Sequence, residues 1–328
     1  MVTSRWLREK CELPTTFADE LTLWGPHAAD GRVPSLTEAQ AYCRRLATTH
    51  YENFPVVSWL LPRRLHQHFY NVYAYCRWAD DLGDETGDAA RSLELLGWWR
   101  AQLADCYAGQ PRHPVFVALW PTIREFAIPQ QPFSDLVSAF EQDQTVHEYE
   151  TFEQLVDYCR RSANPVGRLV LSLCRQANDR NFGWSDSICT GLQLANFWQD
   201  VARDLDIGRI YLPQEDLRRV GYSPDDLRGR RTTPAFLELM KFEVDRARQW
   251  LSPWQDASLP ELAPFPLRLQ VDVELFARGG ERILDRIAAI EYRVWDKRPV
   301  VTKKDVVGLF LGCLGRALKR KFRGRKRR

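Results

Sequence analysis

The sequence lacks most of the features that mark membrane, disulfide-rich and zinc-binding chains. No stretch approaches the roughly 20 consecutive apolar residues that a membrane-spanning helix needs. The first ten residues carry four charges and lead into no apolar run, so we expect neither a signal peptide nor a transmembrane span. The eight cysteines include no Cys-x-x-Cys pair, which favours free thiols in a reducing compartment. We therefore expect a cytoplasmic protein.

Strand-like alternation is also missing, as is the G-x-G-x-x-G sequence that follows a strand in nicotinamide-binding domains. The sequence contains helical signals instead, and the first of them is a capping box at Ser35 and Glu38. Apolar residues recur at three-to-four spacing over 89–107, 133–141 and 152–178. The sequence predicts an all-α fold.

The turn clusters between these helices are too short to be linkers, so we expect one domain over residues 1–315. Residues 316–328 form a basic tail with nine Lys or Arg and no acid, whereas the preceding body has a net charge of −6. Apolar residues interleave with these charges, namely Leu309, Phe310, Leu311, Leu314, Leu318 and Phe322. This pattern favours peripheral docking on the anionic inner face of a membrane. A solubilising role and nucleic-acid binding are the alternatives.

A first acidic motif is predicted on one helical face. Tyr73, Arg77, Asp80 and Asp84 lie at offsets 0, 4, 7 and 11, and Asp81 is adjacent. Asp80 and Asp84 repel each other one turn apart, toward the end of the helix where the macrodipole disfavours negative charge. A bound cation would remove both costs.

A second acidic motif repeats this geometry at Gln193, Asn196, Asp200 and Asp204. Apolar residues flank both motifs, so we expect the polar faces to point inward, where unpartnered carboxylates would cost several kcal/mol. Either motif alone is equally typical of a solvated helix face. Together they indicate Mg²⁺, which prefers oxygen ligands and binds polyphosphates.

Arginines near the motifs provide groups that suit a phosphate. Arg77 lies one turn before the first acids, and Arg209 follows the second motif. The planar guanidinium donates two hydrogen bonds to one phosphate. The predicted ligand is therefore a diphosphate held by magnesium and arginine.

At these residues the chain resembles the squalene and phytoene synthase family over roughly residues 36–304. The resemblance rests on the two acidic motifs in their order and on further positions, namely His50, Tyr158-Cys159, Gly167, Arg209-Ile-Tyr211-Leu-Pro213 and Arg298. It implies a single-domain isoprenoid synthase helical bundle around a central active-site cavity. Head-to-head prenyl transfer is the activity typical of the family.

The resemblance also implies roles for individual residues. Magnesium ions would be held by Asp80, Asp81, Asp84, Asn196, Asp200 and Asp204. Diphosphate would be bound by His50, Arg77, Gln193, Arg209 and Arg298. Catalytic roles would fall to Tyr73, Tyr158 and Asn164. Candidates for the apolar pocket wall are Phe54, Val166, Leu169, Leu192 and Phe197.

Within the family, the chain is most similar to the hydroxysqualene synthases of bacterial hopanoid pathways. The narrower likeness rests on Glu52-Asn53-Phe54-Pro55, Leu61-Pro62-Arg63-Arg64-Leu65 and Ser162-Ala163-Asn164-Pro165-Val166-Gly167-Arg168. It implies that presqualene diphosphate and water give hydroxysqualene, with separate enzymes supplying the substrate and reducing the product. The alternatives are condensation of two prenyl diphosphates and a non-catalytic scaffold docked on a membrane.

Pro165 is predicted to kink its helix and free a backbone carbonyl. We hypothesise that this carbonyl and Asn164 position the water that quenches the cation. The alternative is a kink that only shapes the pocket.

Overall fold

A computed structural model describes residues 16–28, 31–49, 62–251 and 265–325. Across these ranges the regular structure is helical, and the one β-type pairing is an isolated bridge between Glu148 and Ile210. The prediction of an all-α fold is confirmed. The seven cysteines within these ranges are free thiols. Two predicted site residues, His50 and Phe54, lie outside the described residues.

The helices follow one another with short connections. In chain order they are α1 Phe17–Trp24, α2 Leu36–Thr49, α3 Arg63–Asp84, α4 Ala89–Tyr107, α5 Pro114–Phe126, α6 Gln131–Gln142, α7 Phe152–Ser162, α8 Asn164–Leu173, α9 Asp179–Asp206, α10 Gln214–Val220, α11 Pro224–Arg228, α12 Pro234–Leu251, α13 Leu267–Ala289 and α14 Lys303–Arg325. The two acidic motifs fall on the C-terminal halves of α3 and α9.

Local sequence signals explain several helix boundaries. At the start of α2, the Ser35 N–H donates to Glu38 Oε2 at 2.8 Å and the Glu38 N–H donates to Ser35 Oγ at 3.4 Å. The apolar spacing over 152–178 spans two helices, α7 ending at Ser162 and α8 ending at Leu173, so the kink predicted at Pro165 is a full interruption. Pro165 accounts for the interruption, because a proline is tolerated in the first turn of a helix but not in its interior.

The two acidic helices are each packed at the centre of a hydrophobic cluster. Helix α3 contacts α2, α4, α5 and α6, and its Trp78 stacks on Trp99 with ring centroids 5.4 Å apart. Helix α9 contacts α8, α12 and α13, and its Trp198 is fully buried among them. Burial of such side chains stabilises each helix by several kcal/mol. The acids therefore project from elements that are fixed by packing.

Glycine allows α9 to approach its neighbours closely. A Cβ atom on Gly191 would lie 2.8 Å from a methyl group of Leu251 in α12. One on Gly280 of α13 would lie 2.9 Å from a methyl group of Leu192. These glycines set the spacing of the three helices that form the second cluster.

The C-terminal helix α14 packs along α13. Its buried Cys313 and Ala317, with the partly buried Leu309, Phe310 and Leu314, contact Val271 and Leu275. Leu309, Phe310 and Leu314, which the sequence pattern assigned to a membrane-facing surface, are therefore partly covered by α13. Val307, Leu311 and Leu318 are exposed by 58%, 60% and 38%. No helix in the described part of the chain is long and apolar enough to cross a membrane.

Candidate active site

The first acidic motif surrounds Arg77. Its Nε donates to Asp81 Oδ2 at 2.9 Å, a second contact reaches Asp81 Oδ1, and Asp80 Oδ2 lies 3.6 Å from Nη1. Burial raises the pKa of Asp81 to about 7, against the opposing effect of Arg77. Both oxygens of Asp81 are occupied by Arg77, so Asp81 orients this arginine, whereas Asp80 lines an adjacent cavity.

In the second acidic motif, one aspartate is paired with an arginine from a distant part of the chain and the next aspartate is not. Asp200 receives two hydrogen bonds from Arg298, one of them from Nη2 to Oδ2 at 3.1 Å. One turn later, Asp204 has a buried Oδ2 without a hydrogen-bond partner among the described residues. Burial, followed by the charge of Asp200, raises the pKa of Asp204 to about 7. Gln193 is half-buried and Asn196 is exposed beside them.

Arg209 connects the two motifs. Its Nη2 donates to Asp84 Oδ1 of the first motif at 2.9 Å. The same guanidinium opposes the upward pKa shifts of both Asp80 and Asp204, so its charge acts on acids of both motifs. The residues predicted from α3, α9 and the segment after α9 thus form one site.

At the edge of this site Tyr158, which was predicted from the sequence, pairs with Asp143, which was not predicted. The Tyr158 hydroxyl donates to Asp143 Oδ2 at 2.9 Å, and burial raises the pKa of Asp143 to about 6. The charge of Arg209 counteracts that shift, so Asp143 belongs to the same electrostatic group. Asp143 was missed because a single acid directly after a helix is indistinguishable in sequence from a solvated helix end.

The acids fit a divalent cation by their charge and chemistry. Six carboxylates, those of Asp80, Asp81, Asp84, Asp143, Asp200 and Asp204, face three guanidiniums, those of Arg77, Arg209 and Arg298. The excess of negative charge, including the buried Asp204 oxygen that has no partner, is what a hard cation with oxygen ligands would offset. In the described residues, no three such groups already converge on one metal position.

Two cavities lie in the helical body, and one of them borders the acids. The proximal cavity, of about 190 Å³, has Tyr73, Arg77 and Asp80 at one end and otherwise mostly apolar walls. The distal cavity, of about 160 Å³, lies among α8, α9 and α13. Val166 and Val170 line both. Both cavities have mostly apolar walls, which suit a hydrocarbon chain.

Of the residues predicted to form the pocket wall, some line a cavity and others are packed elsewhere. Val166 lines both cavities and Leu192 lines the distal one. Leu169 does not line either cavity, because it is fully buried in the cluster around α3. Phe197 stacks on Tyr211 with centroids 3.8 Å apart and lies beside Asp204 and Arg209 instead.

Asn164 lies at the break between α7 and α8. It is buried, and its Oδ1 accepts a hydrogen bond from Thr190 Oγ1 of α9 at 3.0 Å. This bond ties the start of α8 to α9 next to Val166. The carbonyl oxygen of the Asn164 side chain is thus already engaged.

Two arginine-paired acidic motifs on neighbouring helical layers, with apolar cavities behind them, define the isoprenoid synthase class of all-α enzymes. Comparison of structures agrees with this class. The squalene synthase HpnC from Alicyclobacillus acidocaldarius superposes with a TM-score of 0.73 at 44% identity, covering 78% of this chain and 95% of that one. A dehydrosqualene synthase superposes with a TM-score of 0.72 at 26% identity, covering 85% and 96%.

Sequence comparison places the chain in one family of that class. The family model for squalene/phytoene synthase matches residues 47–305. The phytoene synthase of Arthrospira platensis is 32% identical over 285 residues, which cover 82% of this chain and 91% of that protein. The 15-cis-phytoene synthase of a Synechocystis species is 34% identical over 286 residues, covering 81% and 82%. The chain belongs to the squalene/phytoene synthase family.

Proposed function

We propose that this enzyme converts presqualene diphosphate and water to hydroxysqualene and diphosphate. The observation that carries the proposal is the 44% identity to the squalene synthase HpnC structure, compared with 26% to the dehydrosqualene synthase. The Asn53-Phe54-Pro55 and Ala163-Asn164-Pro165 stretches support the same branch. The family acts on prenyl diphosphates, and this proposal specifies which one.

The acidic end of the site binds the diphosphate group. Asp80, Asp84, Asp200 and Asp204, with Asn196 beside them, would hold Mg²⁺, which supplies positive charge against the diphosphate oxygens as the C–O bond breaks. Arg209 and Arg298 change partner from carboxylate to phosphate, for which their planar donor groups are equally suited, whereas Arg77 stays on Asp81 and exchanges only its contact with Asp80 for phosphate. Asp81 keeps Arg77 in place during this exchange.

The apolar cavities bind the hydrocarbon part. Their walls exclude bulk water, so the carbocation left by ionisation meets few bases. Tyr73 lies where the proximal cavity meets the acids and can donate a hydrogen bond to the departing diphosphate. Tyr158 is held by Asp143 within the same end of the site. Asn164, at the break before α8, fixes the wall near Val166 and is the polar group proposed from sequence to guide water.

The test is to incubate the purified protein and Mg²⁺ with presqualene diphosphate and, separately, with farnesyl diphosphate, without NADPH. Mass spectrometry should identify an alcohol formed from presqualene diphosphate, with farnesyl diphosphate left unchanged. Products from farnesyl diphosphate would contradict the proposal and favour condensation. No turnover of either substrate would favour a non-catalytic scaffold.

Condensation of two prenyl diphosphates is the second candidate. It is favoured by the curated relatives, which are phytoene synthases at 32% and 34% identity. Both reactions use the same acids, so the site geometry does not separate them. If the first proposal holds, a separate condensing enzyme must supply presqualene diphosphate and a separate redox enzyme must consume the alcohol.

We further propose that α14 docks the enzyme on the anionic face of a membrane, as a cytoplasmic, peripheral protein. Val306, Val307, Leu311 and Leu318 are its exposed large apolar residues, and Lys303, Lys304 and Lys319 are exposed near them. Arg316 is paired with Glu274, and the other eight basic residues over 316–328 would each add attraction of about 1 kcal/mol at an anionic surface. The helix thus combines an apolar stripe with charge that is complementary to acidic lipids.

Co-sedimentation with vesicles tests this docking. The protein should bind vesicles containing phosphatidylglycerol, bind pure phosphatidylcholine weakly, and be released by 0.5 M salt, at which electrostatic attraction is screened within about 4 Å. Leu311→Glu should reduce the bound fraction. Leu23→Glu is the matched control, because Leu23 is exposed on α1. Equal loss in both variants, or equal binding to both lipids, would contradict the proposal.

A further inference from the structure

The carbonyl oxygen of Gly83, at the C-terminal end of α3, accepts two side-chain hydrogen bonds. The Gln144 Nε2 group donates to it at 3.2 Å, and the Ser92 hydroxyl donates to it at 3.1 Å. Carbonyls in the last turn of a helix have no partner within that helix, so these side chains supply what the backbone lacks. Gly83 directly precedes Asp84, the last residue of α3. The two donors therefore contact the backbone that carries the first acidic motif.

Gln144 joins this end of α3 to the end of α6. The same Nε2 group donates to the backbone carbonyl of Phe140 at 3.1 Å, and Phe140 lies in the last turn of α6. Phe140 also lines the proximal cavity. The residue before Gln144 is Asp143, which accepts the hydrogen bond from Tyr158. A single amide group thus spans the ends of two helices that border the site.

The two donors suit a helix end that carries carboxylates. The macrodipole makes the C-terminal end of α3 negative, and Asp80 and Asp84 add negative charge there. A donor directed at a terminal carbonyl places positive partial charge at this end of the helix. Because Gln144 and Ser92 both donate to the Gly83 backbone, these bonds leave the carboxylate oxygens of the motif available to a cation.

A contact with the backbone matters most once the diphosphate is bound. Asp84 is held through the side chain of Arg209, whose Nη2 donates to Asp84 Oδ1 at 2.9 Å. In the proposed reaction Arg209 leaves Asp84 for phosphate, so this constraint on the end of α3 is lost. The contact between Gln144 and Gly83 involves no carboxylate, and it therefore persists through the exchange.

We propose that Gln144 is a positioning residue that holds the Gly83 carbonyl and thereby keeps Asp80 and Asp84 in place for Mg²⁺. Ser92 assists from α4. This inference rests on the proposed binding of Mg²⁺ and diphosphate at the acidic motifs. Groups that hold metal ligands in place without touching the metal typically contribute about 10- to 100-fold to metal affinity or activity. Replacing Gln144 should therefore weaken Mg²⁺ binding more than it weakens the fold.

The experiment compares Mg²⁺ titrations of the wild-type protein and Gln144→Met, which keeps the length of the side chain but removes the donor. Gln67→Met is the matched control, because Gln67 is also half-buried and donates to a backbone carbonyl, that of Gln40, at 3.0 Å. Gln67 lies near the other end of α3, about 24 Å along the helix from Gly83.

Two quantities are measured for each protein. Differential scanning fluorimetry with Mg²⁺ alone gives the metal-free melting temperature and the Mg²⁺ concentration for half of the thermal shift. Diphosphate release from presqualene diphosphate gives the Mg²⁺ concentration for half-maximal activity. We expect Gln144→Met to raise both Mg²⁺ concentrations at least about tenfold, with kcat at saturating Mg²⁺ within a few fold of wild type.

The control variants separate positioning from stability. Gln67→Met should lower the metal-free melting temperature about as much as Gln144→Met, since each loses hydrogen bonds to backbone, yet it should leave the Mg²⁺ concentrations unchanged. Ser92→Ala should raise the Mg²⁺ concentrations by less than Gln144→Met, because Gln144 remains on the Gly83 carbonyl. Ser92→Ala also provides the test if Gln144→Met does not fold.

The outcomes are distinct. A raised Mg²⁺ requirement in Gln144→Met and Ser92→Ala, with Gln67→Met unchanged, supports the inference. An unchanged requirement in both, or an equal rise in Gln67→Met, overturns it, and Gln144 then only packs α6 against α3. If the wild-type protein binds Mg²⁺ but releases no diphosphate from presqualene diphosphate, the proposed reaction fails, while the thermal shifts still decide the role of Gln144. Absence of any Mg²⁺ shift in the wild-type protein rejects the metal site and the role of Gln144 together.

Discussion

The two acidic motifs share one sequence pattern but neutralise their charge in different ways. In the first, Arg77 comes from the same helix and contacts Asp80 and Asp81 one turn away. In the second, Arg298 comes from 98 residues further along the chain to bind Asp200, and Asp204 retains an unpartnered oxygen. Asp81 of the first motif is thus paired within its own helix, and Asp84 pairs with Arg209 from 125 residues away, whereas Asp204 of the second motif keeps an oxygen without a partner among the described residues. A bound cation would therefore stabilise the second motif more than the first.

The largest expected effect is that of removing divalent metal. We expect EDTA to abolish turnover of the prenyl diphosphate and Mg²⁺ to restore it, because the carboxylates alone would repel the substrate's charge. Independently of activity, Mg²⁺ at about 100 times its dissociation constant should stabilise the fold by about 2.7 kcal/mol. Differential scanning fluorimetry measures that shift. An unchanged melting temperature across a Mg²⁺ titration would contradict a metal site here.

The next largest effect is expected for Asp204, the acid of the second motif that has an unpartnered oxygen. Asp204→Asn should lower kcat/KM about 1000-fold, as expected for the loss of one strong electrostatic contact to the leaving group. It should leave stability unchanged or higher, because an unpartnered buried charge is removed. Diphosphate release and thermal unfolding provide the two measurements.

Asp206→Asn is the matched control for Asp204→Asn. Asp206 lies two residues further on α9, is exposed, and pairs with Arg230 outside the site. It should retain activity within a few fold. If both variants lost activity equally, the distinction drawn for Asp204 would be wrong.

The contrast between the motifs also shows what can be predicted from sequence. The helical class and the acidic faces follow from local periodicity, and α4 begins and ends at the predicted Ala89 and Tyr107. The contact between Arg298 and Asp200 does not follow from the sequence, because no local pattern specifies a partner 98 residues away. Asp143 gave no signal either, since an acid directly after a helix looks like a solvated helix end until its neighbours are known. The residue roles inferred from the family stay predictions until variants are measured.

A third prediction concerns the long-range ion pair itself. Arg298→Lys should reduce kcat/KM by about 10- to 100-fold, because lysine keeps the charge but loses the planar two-point contact. The Mg²⁺ concentration for half-maximal activity should shift as well, since Asp200 is freed. Arg286→Lys is the control, because Arg286 contacts both oxygens of Asp305 away from the site. Equal effects of the two substitutions would mean that Arg298 acts only through stability.

The smallest effect is expected at the edge of the site, where Tyr158 and Asp143 join neither motif directly. Tyr158→Phe removes the hydroxyl that donates to Asp143, leaving a buried carboxyl short of one partner at a cost of about 1–3 kcal/mol in stability. We expect kcat to fall by only a few fold, because Arg209 still faces both motifs. Tyr222→Phe is the control, since the Tyr222 hydroxyl donates to the backbone carbonyls of Asp226 and Arg231 and should affect stability alone. A loss of kcat in Tyr158→Phe as large as that in Asp204→Asn would place Tyr158 among the groups that touch the substrate, and the edge would then belong to the catalytic centre.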